Sequence, residues 1–161
     1  MHLRFILFAD AANLSATGKL NVVGEFTGVV VPQLPGLLAR ASIVVRLELS
    51  VAEASAPHHI RLAVAHRDSP APLFQAEAVT PVVAAASAPG GAEAADVALT
   101  QVYDIVGLLL PQLGGYVATV TADGQAIGEA ALVVIGLDGP GAGSAATPAA
   151  TPAAPGPPGA K

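Results

Sequence analysis

Residues 115–135, GYVATVTADGQAIGEAALVVI, form two runs of alternating apolar and polar residues on either side of Asp123-Gly124. Alternation with a period of two places one face of a strand in a core and the other face in water. Asp-Gly between two such runs is typical of the type I′ turn of a hairpin. This stretch therefore predicts a β-hairpin.

A second hairpin is predicted over residues 58–78, HHIRLAVAHRDSPAPLFQAEA. Asp68-Ser69-Pro70 supplies its turn, and Arg61 faces outward. The residues predicted to face the core are Ile60, Leu62, Val64, Phe74, Ala76 and Ala78.

Four further segments have strand character: residues 2–10, 20–26, 40–50 and 96–110. Residues 27–31 continue or follow the second of these strands. The segment 96–110 also fits a helix, but the Val, Thr and Tyr residues in its first half favour a strand. Within 40–50, the predicted inward-facing residues are Ile43, Val45, Leu47 and Leu49.

The connections between these segments are rich in Pro, Gly and Ala. PQLPG at 32–36 breaks the strand ladder, 51–57 is a loop or a helical turn, and 81–95 is a long exposed connection between two halves of the fold. Residues 139–161 contain no large apolar side chain, so they cannot offset the entropy cost of ordering. We therefore expect a domain over residues 1–138 and a flexible, disordered tail over 139–161.

About eight short strands separated by turns indicate an all-β protein, an antiparallel β-sandwich of immunoglobulin-like or jelly-roll-like type. A closed barrel is the alternative. Aromatic residues make up only 4% of the 161 residues, so Val, Leu and Ile must supply most of the core. The larger expected core residues are Phe5, Phe8, Phe26, Phe74, Tyr103 and Tyr116.

Charge and cysteine content exclude several functions. The net charge is −5, and the seven basic residues are spread singly along the chain. No basic stripe is present to bind nucleic acid, and no polybasic segment is present to bind an anionic membrane. The absence of cysteine excludes disulfides, thiolate metal sites and a cysteine nucleophile.

The start of the chain predicts a strand rather than a signal peptide. The apolar run Phe5–Ala9 is shorter than the roughly 7–15 residues of a signal-peptide core, and Asp10 ends it. We therefore expect a cytoplasmic protein.

No group of side chains predicts catalysis, a metal or a cofactor. His58 and His59 point to opposite faces of a strand, and His66 lies about 26 Å from His58 along an extended chain, so we expect structural or exposed histidines. Turn geometry alone explains Asp68 and Asp123. We expect Asp10 to be buried or to cap backbone amides of the following loop. An enzyme is not predicted.

The opening LRFILFADAANLSATGKLNVVGEF, residues 3–26, resembles a family of small bacterial proteins of unknown function, whose opening has the form R-F-x-L-x-A-D-A-A…G-K-L-N-x-x-G-x-F. The resemblance continues through PQLPG, SIVVRLEL and both hairpins, and it covers residues 1–136. It implies a compact β-sandwich. It implies no activity and no functional residues.

Three functions are considered for this sequence. The first is a non-enzymatic interaction or scaffold protein that uses a sheet edge, or a face bearing Val44 and Ala63, for self-association or for a protein partner. The alternative is a small-ligand or carbohydrate-binding module, although the chain has no tryptophan for sugar stacking. A hydrolase with a site assembled across strands is a third, weaker hypothesis.

Overall fold

Nine strands and one short helix make up the part of the chain that the structure, a computed structural model, describes: residues 1–69, 71–82 and 96–137. One sheet has the strand order β2-β1-β4-β7 and the other the order β3-β9-β8-β5-β6. The predicted all-β sandwich is confirmed. The elements are β1 (His2–Leu14), β2 (Leu20–Phe26), β3 (Gly28–Val31), β4 (Gly36–Leu49), α1 (Val51–Ala54), β5 (His59–His66), β6 (Pro72–Val79), β7 (Val97–Leu110), β8 (Gly114–Ala122) and β9 (Gln125–Gly136).

The strand order is that of an immunoglobulin sandwich. Strands β9, β8, β5 and β6 follow the order G-F-C-C′, and β1, β4 and β7 follow the order A-B-E. One pair departs from the expected antiparallel arrangement, because β3 runs parallel to β9. The chain crosses between the sheets at Thr27, so residues 28–31 follow the second strand rather than continue it.

Tyr116 supports the same assignment. It is fully buried near the start of β8, and its hydroxyl donates a hydrogen bond to the Gln112 carbonyl at 2.7 Å. A tyrosine at the start of strand F that bonds back to the preceding connection is the tyrosine corner of immunoglobulin-like sandwiches.

Both predicted hairpins form. Strand β5 pairs antiparallel with β6, and β8 pairs antiparallel with β9. Asp123 and Gly124 have φ angles of 48° and 83°, as the two central residues of a type I′ turn require. The ambiguous segment is also a strand, since β7 pairs with β4 from Val97 to Leu110.

The core lies between the two sheets and is built mainly from aliphatic side chains of β4, β5, β7 and β8. The four residues of β4 that were predicted to face inward are buried there. Phe8 and Tyr116 are core residues, and Phe26, Phe74 and Tyr103 pack partly buried against the core. Phe5 does not face the core. A register shift between Leu3 and Phe5 places Phe5 opposite Arg46 on the outer face of the sheet.

Several boundaries differ from the sequence-based expectation. Strand β1 extends to Leu14, and β4 begins already at Gly36. A side chain at position 36 would collide with Val31, so a glycine at the start of β4 lets β3 and β4 approach each other closely. The one-turn helix α1 lies within 51–57.

Two sequence-based predictions fall on residues outside the described ranges. They are the exposed connection, of which residues 83–95 are not described, and the flexible tail at 139–161. Within the described ranges, no helix is both long and apolar enough to cross a membrane.

Candidate functional site

A trough of about 690 Å³ lies on the outer face of the five-stranded sheet. Strands β5, β6 and β8 are neighbours there, and their alternate residues point away from the core. The side chains that line the trough include His59, Arg61 and Ala63 from β5, Glu77 and Val79 from β6, and Thr119 and Thr121 from β8.

The floor of the trough is low because its central residues are small. Ala63 lies between Gln75 on β6 and Thr119 on β8, and Thr119 lies opposite Glu129 on β9. Longer polar side chains therefore stand around a floor of methyl and hydroxyl groups. A second cavity of about 430 Å³ continues along the same face past Ala65.

The charged groups around the trough are held weakly. Arg61 Nη2 donates to Gln75 Oε1 at 2.8 Å, and Arg61 Nε lies 3.9 Å from Glu77 Oε1. Exposed pairs of this kind contribute little to stability, so the guanidinium can change partners at low cost. Within the described part of the chain, no ion pair engages Arg67 or Glu129, which line the second cavity.

A second cluster joins His58 to the turn between β8 and β9. His58 Nδ1 lies 2.6 Å from Asp123 Oδ2, and His58 Nε2 lies 3.0 Å from the Glu53 carbonyl oxygen. Both partners are hydrogen-bond acceptors, so each ring nitrogen of His58 faces an oxygen atom of the fold. The other Asp123 oxygen, Oδ1, accepts from the His59 backbone N–H at 2.9 Å.

The contacts of this cluster indicate a structural role, in which the His58 ring links α1 to the turn between β8 and β9. The hydrogen bond from His58, assisted by that of the His59 backbone N–H, lowers the pKa of Asp123 below its ordinary value. A catalytic Asp-His pair must leave the second ring nitrogen facing a nucleophile or substrate. Here that nitrogen is bound to the Glu53 carbonyl. Glu53 itself closes the capping box of α1 with Ser50 and pairs with the amino group of Met1.

His66 is also structural. It is buried, its Nδ1 accepts from the Asp68 N–H at 3.1 Å, and its Nε2 faces the Leu113 carbonyl at 3.2 Å. The ring stands edge-on to Tyr116, with 4.9 Å between centroids. These contacts hold the ring between the end of β5 and the segment before β8.

Asp10 and Val44 differ from the sequence-based expectation. Asp10 is exposed, its side chain lies over Gly24, and no hydrogen bond of the described residues involves its carboxylate. Val44 is on the four-stranded sheet, fully buried on the outer face between Leu7 and Val102. It therefore cannot share a contact face with Ala63, which lies on the other sheet.

Sequence reasoning identified Ala63 but missed the rest of the trough. Its polar residues, among them Arg61, Thr119 and Thr121, occupy the outward positions of the two predicted hairpins. Their outward position in the alternating pattern was the signal that the sequence offered. Only the pairing of β5 with β8 shows that the two hairpins lie side by side. Within the described ranges, no three His, Asp or Glu side chains are grouped so as to hold a metal ion.

Comparison with known proteins identifies a family but no function. Residues 4–135 match a family described as of unknown function, DUF6941. The chain belongs to this family. The resemblance seen in the opening motif is thereby confirmed. No curated protein matches the chain.

Among solved structures, the DUF6941 chain is similar to an immunoglobulin-like protein from Pseudomonas aeruginosa. The two are 14% identical, the match covers 83% of this chain and 94% of the other, and the TM-score is 0.40. The immunoglobulin-like assignment accordingly rests on the strand order and on Tyr116.

Proposed function

We propose that this DUF6941 protein is a non-enzymatic interaction module that binds a protein partner in the trough of the five-stranded sheet. The observation that carries the proposal is a trough of about 690 Å³ whose small central residues lie below a rim of longer polar side chains. A pocket that takes an apolar anchor, surrounded by polar groups, is the usual centre of a protein interface.

The lining indicates the chemistry of the partner. The space above Ala63 and Thr119 accommodates a large apolar side chain. Arg61 is held only by exposed neighbours, and Arg67 has no ion pair among the described residues. We therefore infer a partner segment that presents a large apolar side chain next to an acidic one.

The histidines support a non-enzymatic role. The two ring nitrogens of His58 are bound to Asp123 and Glu53, and those of His66 face Asp68 and Leu113. Both rings therefore connect segments of the fold. This supports a structural role for them rather than a role in proton transfer.

A small-ligand or carbohydrate-binding module is the second candidate, since the trough has the volume of a typical ligand site, roughly 300–1,000 Å³. Sugar rings are commonly bound by stacking on exposed aromatic side chains. The described residues that line the trough include no Phe, Tyr or Trp, so a protein partner is the better fit.

The test compares two substitutions in the full chain. Ala63→Arg fills the floor of the trough, and Ala11→Arg places the same side chain on the outer face of the four-stranded sheet, where Ala11 is also half-buried. We expect a partner captured from source cells by the wild-type chain to be retained by Ala11→Arg and lost by Ala63→Arg. Titration calorimetry with the purified partner then measures the loss of affinity.

Three outcomes would count against the proposal. Equal capture of the partner by both variants would place the contact outside the trough. Failure of the wild-type chain to capture any protein would contradict the proposal of a protein partner. Binding of a glycan or small molecule that Ala63→Arg abolishes would favour the second candidate.

The cytoplasmic location expected from the sequence stays a prediction, which fractionation of source cells tests.

A further inference from the structure

The two sheets have four edge strands within the described ranges: β2 and β7 in one sheet, β3 and β6 in the other. An edge strand presents unpaired backbone N–H and C=O groups that another strand can bind. Natural proteins protect such edges with short strands, prolines, charged side chains or bulges.

Three of the four edges carry such protection. Strand β3 has only four residues and is followed by Pro32. Strand β6 begins with Pro72 and carries Glu77. Strand β2 is distorted at Gly24, whose φ is 66°, and carries Glu25.

Strand β7 lacks these devices along most of its length. It has 14 residues and contains no Lys, Arg or Pro. Its one charged residue, Asp104, accepts a hydrogen bond from Ser42 Oγ at 2.7 Å on the neighbouring strand. Gly107, whose φ is 69°, distorts the strand only beyond Val106. Residues 98–106 therefore offer a regular edge of about 30 Å.

We propose that this edge pairs antiparallel with the β7 edge of a second copy of the chain, with the twofold axis at Val102. The two four-stranded sheets would then form one eight-stranded sheet. Antiparallel pairing of a strand with itself is isologous, so every contact occurs twice.

Charge complementarity selects this register. With the axis at Val102, Thr100 lies opposite Asp104 of the partner subunit. Arg46 Nη1 donates to Thr100 Oγ1 at 3.4 Å in the same sheet. The Arg46 guanidinium is thus within reach of the partner's Asp104, and symmetry repeats the pair.

Other registers lack this pair. An axis at Asp104 would set two carboxylates opposite each other, and an axis at Thr100 would set Asp96 opposite Asp104 of the partner subunit. An axis at Gln101 or Tyr103 would leave Asp104 opposite an apolar side chain. At the Val102 register the inward-facing residues also match, with Leu99 opposite the partner's Ile105.

A second copy suits this edge better than the chain's own connection between β6 and β7. The sequence of residues 84–95 contains no Val, Ile, Thr or aromatic residue, and it includes Pro89-Gly90-Gly91. Such a composition disfavours strand pairing. In addition, only 12% of the chain is charged, so little repulsion opposes association.

Sedimentation velocity of the full chain at about 1–100 µM tests the proposal. We expect a dimer for the wild-type chain and a monomer for Val102→Lys, because the substitution sets two ammonium groups at the axis. Val23→Lys is the matched control and should stay dimeric. Val23 is an exposed valine on β2, the opposite edge strand of the same sheet.

A charge exchange tests the register without relying on Val102. Arg46→Glu should weaken the dimer, because it sets a second carboxylate against that of the partner's Asp104, and adding Asp104→Arg should restore it. A wild-type monomer over the whole range would overturn the proposal. So would a dimer that only Val23→Lys dissociates, or a double variant that stays as weak as Arg46→Glu.

Discussion

Asp123 connects the turn between β8 and β9 to the start of β5. Its two carboxylate oxygens bind the ring of His58 and the backbone of His59, while its own backbone adopts the left-handed conformation of the turn. The hydrogen bond from His58 is the main reason that the pKa of Asp123 is lowered. The residue therefore contributes to both the turn and the pH dependence of stability.

Because the folded-state pKa of Asp123 is lowered, its contribution to stability is present above the ordinary value of 3.8 and is lost as the pH falls through the folded-state pKa. We expect Asp123→Asn to lower the free energy of unfolding at neutral pH, and the difference from wild type to shrink below pH 3.8. Urea unfolding at a series of pH values measures this. Asp68→Asn, at the tip of the other hairpin, is the control. A difference that stays constant with pH would contradict the prediction.

At the scale of elements, Tyr116 stabilises the connection between β7 and β8, one of the places where the chain passes between the two sheets. Strand β7 is an edge strand of one sheet, and β8 is the central strand of the other. The Tyr116 hydroxyl donates a hydrogen bond to the segment that connects them. His66 packs against the same ring from β5. The Tyr116 side chain thus contacts both β5 and the segment that joins β7 to β8.

We expect Tyr116→Phe to lower the free energy of unfolding by about 1 kcal/mol, the typical net contribution of a hydrogen bond of this kind. Thermal or urea unfolding gives the value. Tyr103→Phe is the control and should have a smaller effect, because among the described residues that hydroxyl bonds to the Gln101 side chain and to no backbone group. Equal losses from both variants would show that Tyr116 has no special role at this corner.

At the scale of the whole molecule, the two proposed surfaces lie on different sheets. The trough is on the outer face of the five-stranded sheet, and the β7 edge borders the four-stranded one. The twofold axis of an antiparallel strand pair is perpendicular to its sheet. In the proposed dimer both troughs consequently open on the same side.

The two surfaces should therefore act independently. We expect Ala63→Arg to leave the sedimentation behaviour unchanged and Val102→Lys to leave partner capture unchanged. Both are measured on the same preparations as the tests above. A single substitution that abolishes both dimer and partner binding would refute this independence.

Local pattern determined most of the elements. Alternation identified both hairpins and the inward face of β4, and Asp123-Gly124 identified its turn, because side-chain direction and turn geometry depend on neighbouring residues alone. Strand lengths were underestimated, since pairing with a neighbour extends β1 and β4 beyond their alternating cores. A register shift, invisible in the sequence, turned Phe5 outward.

The sequence by itself determined an all-β sandwich, its hairpins and membership of a family. Only the tertiary structure decided which strands are neighbours, including the parallel pair of β3 and β9, and hence which outward residues meet in the trough and which strand is left at an edge. The physical reason is that one alternating strand looks much like another, while its partners are chosen by packing and register over the whole chain. The place of Val44 shows this, because its outward parity was predicted correctly and its burial depends on Leu7 and Val102 from two other strands.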